Sequence, residues 1–387
     1  MSVVDRYNPL DADTLANPYP LLSDLRREAP VFWHEGMQSW VLTRYADCVR
    51  VLRDHQTFAR DPRRSGRDVP AESQSVQTLD PPEQGHIRSL FMNALHAQPL
   101  LAVEARTRRF AKQRLDELTD REEFDVIAEL AVPLSLSLMG DLLGVKTPPY
   151  QEFAEVSDAI MRSMDGGLNP ALVEPGRKAR QELSDLVDGW YAGQRGTGLL
   201  AQVRRATRDD KELVQLYVKN TARVMFQGGY STMSAAIGNS IGVLLTHPEI
   251  LERLKEGGPL GTAVDELVRF DGPVQGTTRV ALVSAGIGGV QIAPGQKVIP
   301  LFVAANRDPD AFAEPDRILP ERSPNPHLGY GWGTHACIGT TAAAAGLRAL
   351  ISALADHPAH LEPVGTGKRR PTATMRAFDV LPAALRI

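Results

Sequence analysis

The sequence predicts a mainly α protein with a minor β part, an α+β fold, in one domain spanning residues 1–387. Three observations predict it. Apolar residues recur at helical spacing almost without a break from Pro81 to about Leu254. Period-two alternation is confined to short stretches near residues 31–43 and 279–303. The 32 glycines and 28 prolines are scattered as punctuation, with no repeat or linker-like run, which favours one continuous domain.

The elements follow in order. Pro18 and Pro20 open a helical stretch that ends near Glu28. Val31–Trp33 and Trp40–Thr43 read as a hairpin around Glu35-Gly36. Ala111, Leu115 and Leu118 mark one apolar helical stripe; Leu183, Leu186, Val187 and Trp190 mark another. The longest helix is expected from about Leu213 to Thr246, about 50 Å at ~1.5 Å per residue. Pro248 then opens a further helix at its favoured first position. Val290–Ile292, Pro294-Gly295 and Val298–Val303 read as strand, turn, strand. Residues 306–334 are an irregular loop, followed by an Ala-rich helix from Gly339 to Ala355. Loops of that length inside a compact domain are usually functional.

Charge excludes some functions. With 43 basic and 47 acidic side chains the net charge is −4, which offers no global attraction to nucleic acid or an anionic membrane. Two cysteines, Cys48 and Cys337, are too few for a disulfide framework or a Cys-rich zinc module. Asp5 and Arg6 stand where a signal peptide needs an apolar run. The most apolar window, 126–145, is interrupted by Glu129, Pro133 and Asp141, so a membrane span is not expected. A cytoplasmic protein of a reducing compartment is the expectation.

Chemistry concentrates in the stretch from His327 to Gly339. Gly329, Gly331, Gly333 and Gly339 surround the lone Cys337, just before the Ala-rich helix. Glycines let a backbone approach a ligand closely or adopt positive φ. A cysteine at a helix N-terminus sits where the dipole favours thiolate. Such a sulfur can bind a metal, attack a substrate, or stay a buried thiol in a turn. Zinc through His335 and Cys337 is a poor fit, because neither CxxC nor HExxH supplies further ligands. Elsewhere Glu266 and Arg269 share a helix face, as a surface pair would. Gly228 and Gly229 interrupt the long helix, which close helix packing also explains.

The cysteine stretch resembles the haem-binding signature of the cytochrome P450 family, Phe-Gly-x-Gly-x-His-x-Cys-x-Gly. Here it runs from Tyr330 to Gly339, with Tyr330 in place of Phe. The likeness extends over nearly the whole chain, through Asn17-Pro18-Tyr19-Pro20, Glu266-x-x-Arg269 and Ala304-Ala305-Asn306-Arg307-Asp308-Pro309. It implies the P450 fold, a triangular domain with a long central helix over the haem. Cys337 would be the axial ligand of the haem b iron, in a loop shaped by Tyr330, Gly331 and Gly339. His335, Arg279 and Arg88 would meet the propionates, with Gln84 at a position that usually holds His. Glu266, Arg269 and Arg322 would form a buried network bracing the loop.

On the long helix the resemblance makes Gly228 and Gly229 a groove for dioxygen and Thr232 the hydroxyl beside it. Ser231 stands where the family usually has an acid. A hydroxyl relays a proton but cannot hold the charge. Substrate would be lined by Met161, Met164, Val274, Gln275, Thr277 and Met375. Without a flavin or iron–sulfur segment, two electrons per turnover would come from a separate ferredoxin and an NAD(P)H-dependent ferredoxin reductase. The function implied is a monooxygenase inserting one atom of O2 into a medium-sized, largely apolar small molecule, in secondary metabolism or catabolism. An atypical, peroxide-driven or rearranging haem-thiolate enzyme is the alternative that Ser231 suggests, and a haem-binding sensor is a third. The basic run Arg106, Arg108, Arg109, Lys112 and Arg114 reads either as a docking patch or as a solvated helix face.

Overall fold

Residues 2–119, 121–193, 196–207 and 215–387 are described by a computed structural model. Tyr19–Glu28 is the first long helix, and Val31–His34 pairs antiparallel with Ser39–Leu42. Trp33 opposes Trp40 across this hairpin with ring centroids 5.6 Å apart, an edge-to-face contact that fixes its register. A five-stranded sheet grows from it in the order Val31–His34, Ser39–Leu42, Lys297–Pro300, Arg279–Ala281, Phe58–Ala59. Only the contact between Ser39–Leu42 and Lys297–Pro300 is parallel.

The later β segment differs from the sequence expectation in two places. Val290–Ile292 pairs with Ala285–Ile287 and not with the strand that follows it. Gly288 and Gly289 lie between them at φ +56° and +83°, the positive-φ pair that a two-residue hairpin turn demands. The strand expected over Val298–Val303 ends at Pro300, and Phe302–Ala305 turns helical.

The central helix runs Gln215–Thr246, 32 residues or roughly 48 Å. The expected start at Leu213 lies outside the described residues. From Met233 to Ile241 every residue is buried, so this helix is core on all sides. Val132–Leu143, Val173–Gly193, Leu260–Asp271 and Thr340–Ala355 pack around it. Val126–Leu143 is apolar and long enough to cross a membrane, but 67% of it is buried inside the fold. It opens as a π turn whose first amides, Ile127 and Ala128, are capped by the Asp125 carboxylate.

A buried ion cluster ties distant segments together. Asp271 accepts from Arg376 Nε at 2.6 Å, Arg369 Nη2 at 2.8 Å and the Tyr19 hydroxyl at 2.7 Å. Arg376 reaches on to the carbonyls of Leu15 and Ala16. Burial would raise the Asp271 carboxyl, yet the two guanidinium charges hold it far below the usual range. No sequence motif announced this cluster.

Candidate active site

Cys337 lies between the 3-10 turn Gly333–His335 and the helix Thr340–Ala355. Its amide donates to the Tyr330 carbonyl at 2.8 Å, folding the loop back on itself. Gly333, at φ +74°, passes so close to Leu52 that a Cβ would press on that backbone. Cys337 as a residue is exposed. Burial pushes its thiol up, against the Gly339 amide, the Thr340 hydroxyl and the Arg88 charge, which favour thiolate.

The loop is braced from beneath by Glu266 and Arg269, both completely buried side chains. Arg269 Nε and Nη2 make a two-pronged contact to the carboxylate at 2.7 and 2.8 Å. Arg322 Nε adds contacts at 3.0 and 3.1 Å, and the Leu319 amide and Asn325 Nδ2 complete the shell. Arg269 also donates to the carbonyls of Asn306, Pro315 and Arg317, so one guanidinium gathers much of the irregular loop. Desolvation opposes ionisation of Glu266, but Arg269 prevails and its carboxyl is held below the ordinary range. Asn306, whose Oδ1 receives the Leu328 amide, lies in the segment that carried the resemblance, whereas Asn325 carried no signal in the sequence.

Beside the loop two guanidiniums converge. Arg60 Nη1 and Arg279 Nη1 both donate to Thr277 Oγ1, at 3.0 and 3.1 Å, and to the Thr278 carbonyl. Arg279 is only 3% exposed, and burial with the Arg60 charge lowers it to about 9. Asp80 is the carboxylate that acts on both, and it also binds Arg64 and His335. Thr277 thus anchors both arginines. Arg60 was missed because it lies in an irregular stretch 217 residues from Thr277.

Gln84 and His335 are joined to each other and to the loop. Gln84 Nε2 donates to the carbonyls of Thr334 and Val76, which sets the amide orientation, so the contact to His335 Nδ1 makes that nitrogen an acceptor. His335 Nε2 then carries the proton and donates to Asp80 Oδ1 at 2.8 Å. Burial and the Arg279 and Arg60 charges keep the imidazole neutral, against the pull of Asp80. Both nitrogens have protein partners, so His335 and Gln84 position the loop. Arg88 is half-buried and, among the described residues, makes no hydrogen bond or ion pair; its charge is felt at Cys337.

The two glycines of the central helix do different work. A Cβ on Gly229 would lie 2.5 Å from Met139 Cε, so this glycine allows close packing against that side chain. A Cβ on Gly228 meets nothing within 4 Å. Thr232 stands one turn on, its hydroxyl donating to the Gly228 carbonyl at 2.5 Å with its oxygen lone pairs left to accept. The Ser231 hydroxyl donates to the Gln227 carbonyl at 2.8 Å. Met161, Met375 and Val274 gather with Ala235 and Ala377 in one apolar cluster, Ala235 being a turn beyond Thr232. Val274 and Met375 face each other in an isolated bridge. Met164 is 46% exposed, and Gln275 lines a cleft with Tyr7, Leu15 and Arg376, so neither belongs to that cluster.

The sequence model of the Cytochrome P450 family matches residues 260–357, which hold the brace, the loop and its cysteine. Cytochrome P450 126 of Mycobacterium tuberculosis is 31% identical over 370 residues, covering 89% of each chain. The chain belongs to the cytochrome P450 family. Erythromycin C-12 hydroxylase of Saccharopolyspora erythraea is 28% identical over 325 residues, 82% of this chain and 81% of that one. The crystal structure of CalO2 superposes with a TM-score of 0.87 at 29% identity, covering 98% of both chains. This P450 is therefore an oxidoreductase of the monooxygenase class, and it uses haem b, O2 and electrons from a redox partner.

The residues present fit that group. Cys337, an exposed residue at a helix N-terminus, would supply the thiolate that such an iron takes. Arg60 and Arg279 meet only neutral acceptors where two propionates require cations. Gly228 leaves room above.

Four of the five members of the basic run on Leu100–Leu118 are paired: Arg106 binds Asp141, Arg108 binds Asp356, Lys112 binds Asp116 and Arg114 binds Glu117. Arg109 is exposed.

Proposed function

We propose that this P450 hydroxylates or epoxidises a medium-sized, largely apolar small molecule in secondary metabolism, as a single cytoplasmic catalytic domain served by a separate ferredoxin and NAD(P)H-dependent reductase. The observation that carries the reading is the Cys337 loop, braced from beneath by the buried Glu266–Arg269 pair. Haem b, when bound, supplies the activation of dioxygen and the transfer of one oxygen atom.

The chain's own residues hold and orient. Cys337 is the iron ligand, and Tyr330, Gly331 and Gly339 shape its loop. Arg279, Arg60 and Arg88 neutralise the propionates, while Glu266, Arg269 and Arg322 fix the loop's height. Thr232 Oγ1 can accept a hydrogen bond from a ligand or water in the space beside Gly228, since its own proton is engaged at the Gly228 carbonyl. Met161, Val274 and Met375 exclude water and orient an apolar substrate.

Ser231 favours a second reading. Its proton is engaged at the Gln227 carbonyl and it holds no charge, so protons must arrive through water or a substrate hydroxyl. A peroxide-driven or rearranging enzyme avoids part of that demand. The reduced, carbon-monoxide-treated protein is expected to show the red-shifted Soret band of thiolate ligation and Cys337→Ser to lose it. A variant that keeps the band sinks the assignment. Turnover with reduced ferredoxin and oxygen, compared with peroxide alone, separates the two enzymatic readings.

A further inference from the structure

Arg223 on the central helix and Arg180 on Val173–Gly193 form a second cationic pair, remote from the propionate arginines. Arg223 Nη1 donates to Ser184 Oγ at 2.7 Å and Nη2 to the Glu72 carbonyl at 2.9 Å. Ser184 in turn donates to the Arg180 carbonyl at 2.7 Å, and Arg180 Nη2 donates to Ser163 Oγ at 2.5 Å. Every acceptor is neutral. Among the described residues neither guanidinium meets a carboxylate, since the nearby Asp188 is taken by Lys219 at 3.1 Å. Two half-buried cations with neutral partners cost desolvation that an anion between them would return.

A second observation points the same way. Arg223, Gln227 and Ser231 recur every four residues, so they form one polar stripe along the helix face. Gln227 is 7% exposed; its Nε2 donates to Ser157 Oγ at 2.9 Å, but its Oε1 has no partner. A buried acceptor left single marks a place where a donor belongs. Ser157 and Ser163 flank Met161, which joins Met375 in the apolar cluster.

We propose that Arg180 and Arg223 hold the anionic head of the substrate, and that Gln227 Oε1 accepts from a hydroxyl or amide N–H farther along the same molecule. This rests on the monooxygenase reading and narrows it to organic anions. Nine residues separate Arg223 from Thr232, so the head lies roughly 13–14 Å along the helix from the space beside Gly228 and Thr232. A carboxylate and a phosphoryl group share the chemistry.

The test uses the holoenzyme with N-decanoylglycine, N-dodecanoylglycine, their methyl esters and dodecyl phosphate, reading the ferric spin-state shift and the calorimetric heat of binding. The acids are expected to bind about tenfold or more tighter than their esters. Arg223→Gln and Arg180→Gln are each expected to abolish that preference while ester affinity stays within about twofold. Tighter dodecyl phosphate names a phosphoryl head, and tighter acylglycine a carboxylate. Equal affinity of acids and esters, preference surviving in both variants, or no binding by any anion overturns the subsite. An intact carbon-monoxide band in the same samples shows that such a failure belongs to the subsite alone.

Discussion

Gly229 and Met139 are packed so closely that a single methyl on the helix would lie 2.5 Å from the thioether carbon. Gly229→Ala is therefore expected to displace the flexible thioether end of Met139 and to lower stability by no more than about 1 kcal/mol. Met139→Ala in the same chain should relieve much of the clash. Its neighbour behaves oppositely. Gly228→Ala meets no atom, gains up to about 1 kcal/mol of helix stability, and intrudes beside Thr232. Melting temperatures and ligand-induced spectra separate the two; equal behaviour of the glycines would refute their division of labour.

Removal of Glu266 strands two buried guanidiniums. Glu266→Ala is expected to destabilise the fold by about 3–5 kcal/mol and to yield protein with little haem, read as the haem-to-protein absorbance ratio. The carboxyl is depressed in the fold, so its contribution is complete above the ordinary carboxylate pKa and fades as pH falls through the folded value. A holoprotein of normal haem content would contradict the bracing role.

His327 supplies a separate acid sensitivity. Burial and the Arg269 charge lower it from 6.5 to about 4. Since the unfolded chain takes up its proton first, stability is full above pH 6.5 and declines towards about pH 4, by up to about 3 kcal/mol. His327 Nδ1 accepts the Gly329 amide at 3.1 Å, an acceptor that Asn can mimic. His327→Asn should flatten the melting-temperature profile across that window, and an unchanged slope would refute the assignment.

Tyr330 carries a buried hydroxyl with no partner among the described residues. Such a group costs roughly 1–3 kcal/mol of desolvation. Tyr330→Phe is expected to raise the midpoint of chemical denaturation and leave haem binding intact. A less stable variant would mean that the hydroxyl is satisfied in solution.

Legibility from sequence followed chain locality. The cysteine loop, the Glu266–Arg269 pair and the long helix lie within short windows, where spacing alone carries the information. Arg60 could not be read, because its meaning comes from Thr277 far along the chain. Gln84 was visible as an anomaly, yet its grip on His335 Nδ1 depends on two carbonyls that no motif encodes. Gly228 and Gly229 look alike as letters. Only the Met139 side chain tells them apart. The hairpin over 285–292 was missed although Gly288-Gly289 spelled it, because the Pro294-Gly295 turn drew the stronger reading.

Asp271 precedes its neutralising arginines by 98 and 105 residues. During translation that carboxylate emerges long before Arg369 and Arg376 do, and it must wait in water until they leave the ribosome. Leu15, Ala16 and Tyr19 wait longer still for the same partners. Val274 and Met375, which meet across the adjacent bridge, join only at that moment. The apolar cluster around Met161 and Met375 is thus among the last parts to be built, and a chain cut before residue 369 could neither neutralise Asp271 nor close the bridge to Val274.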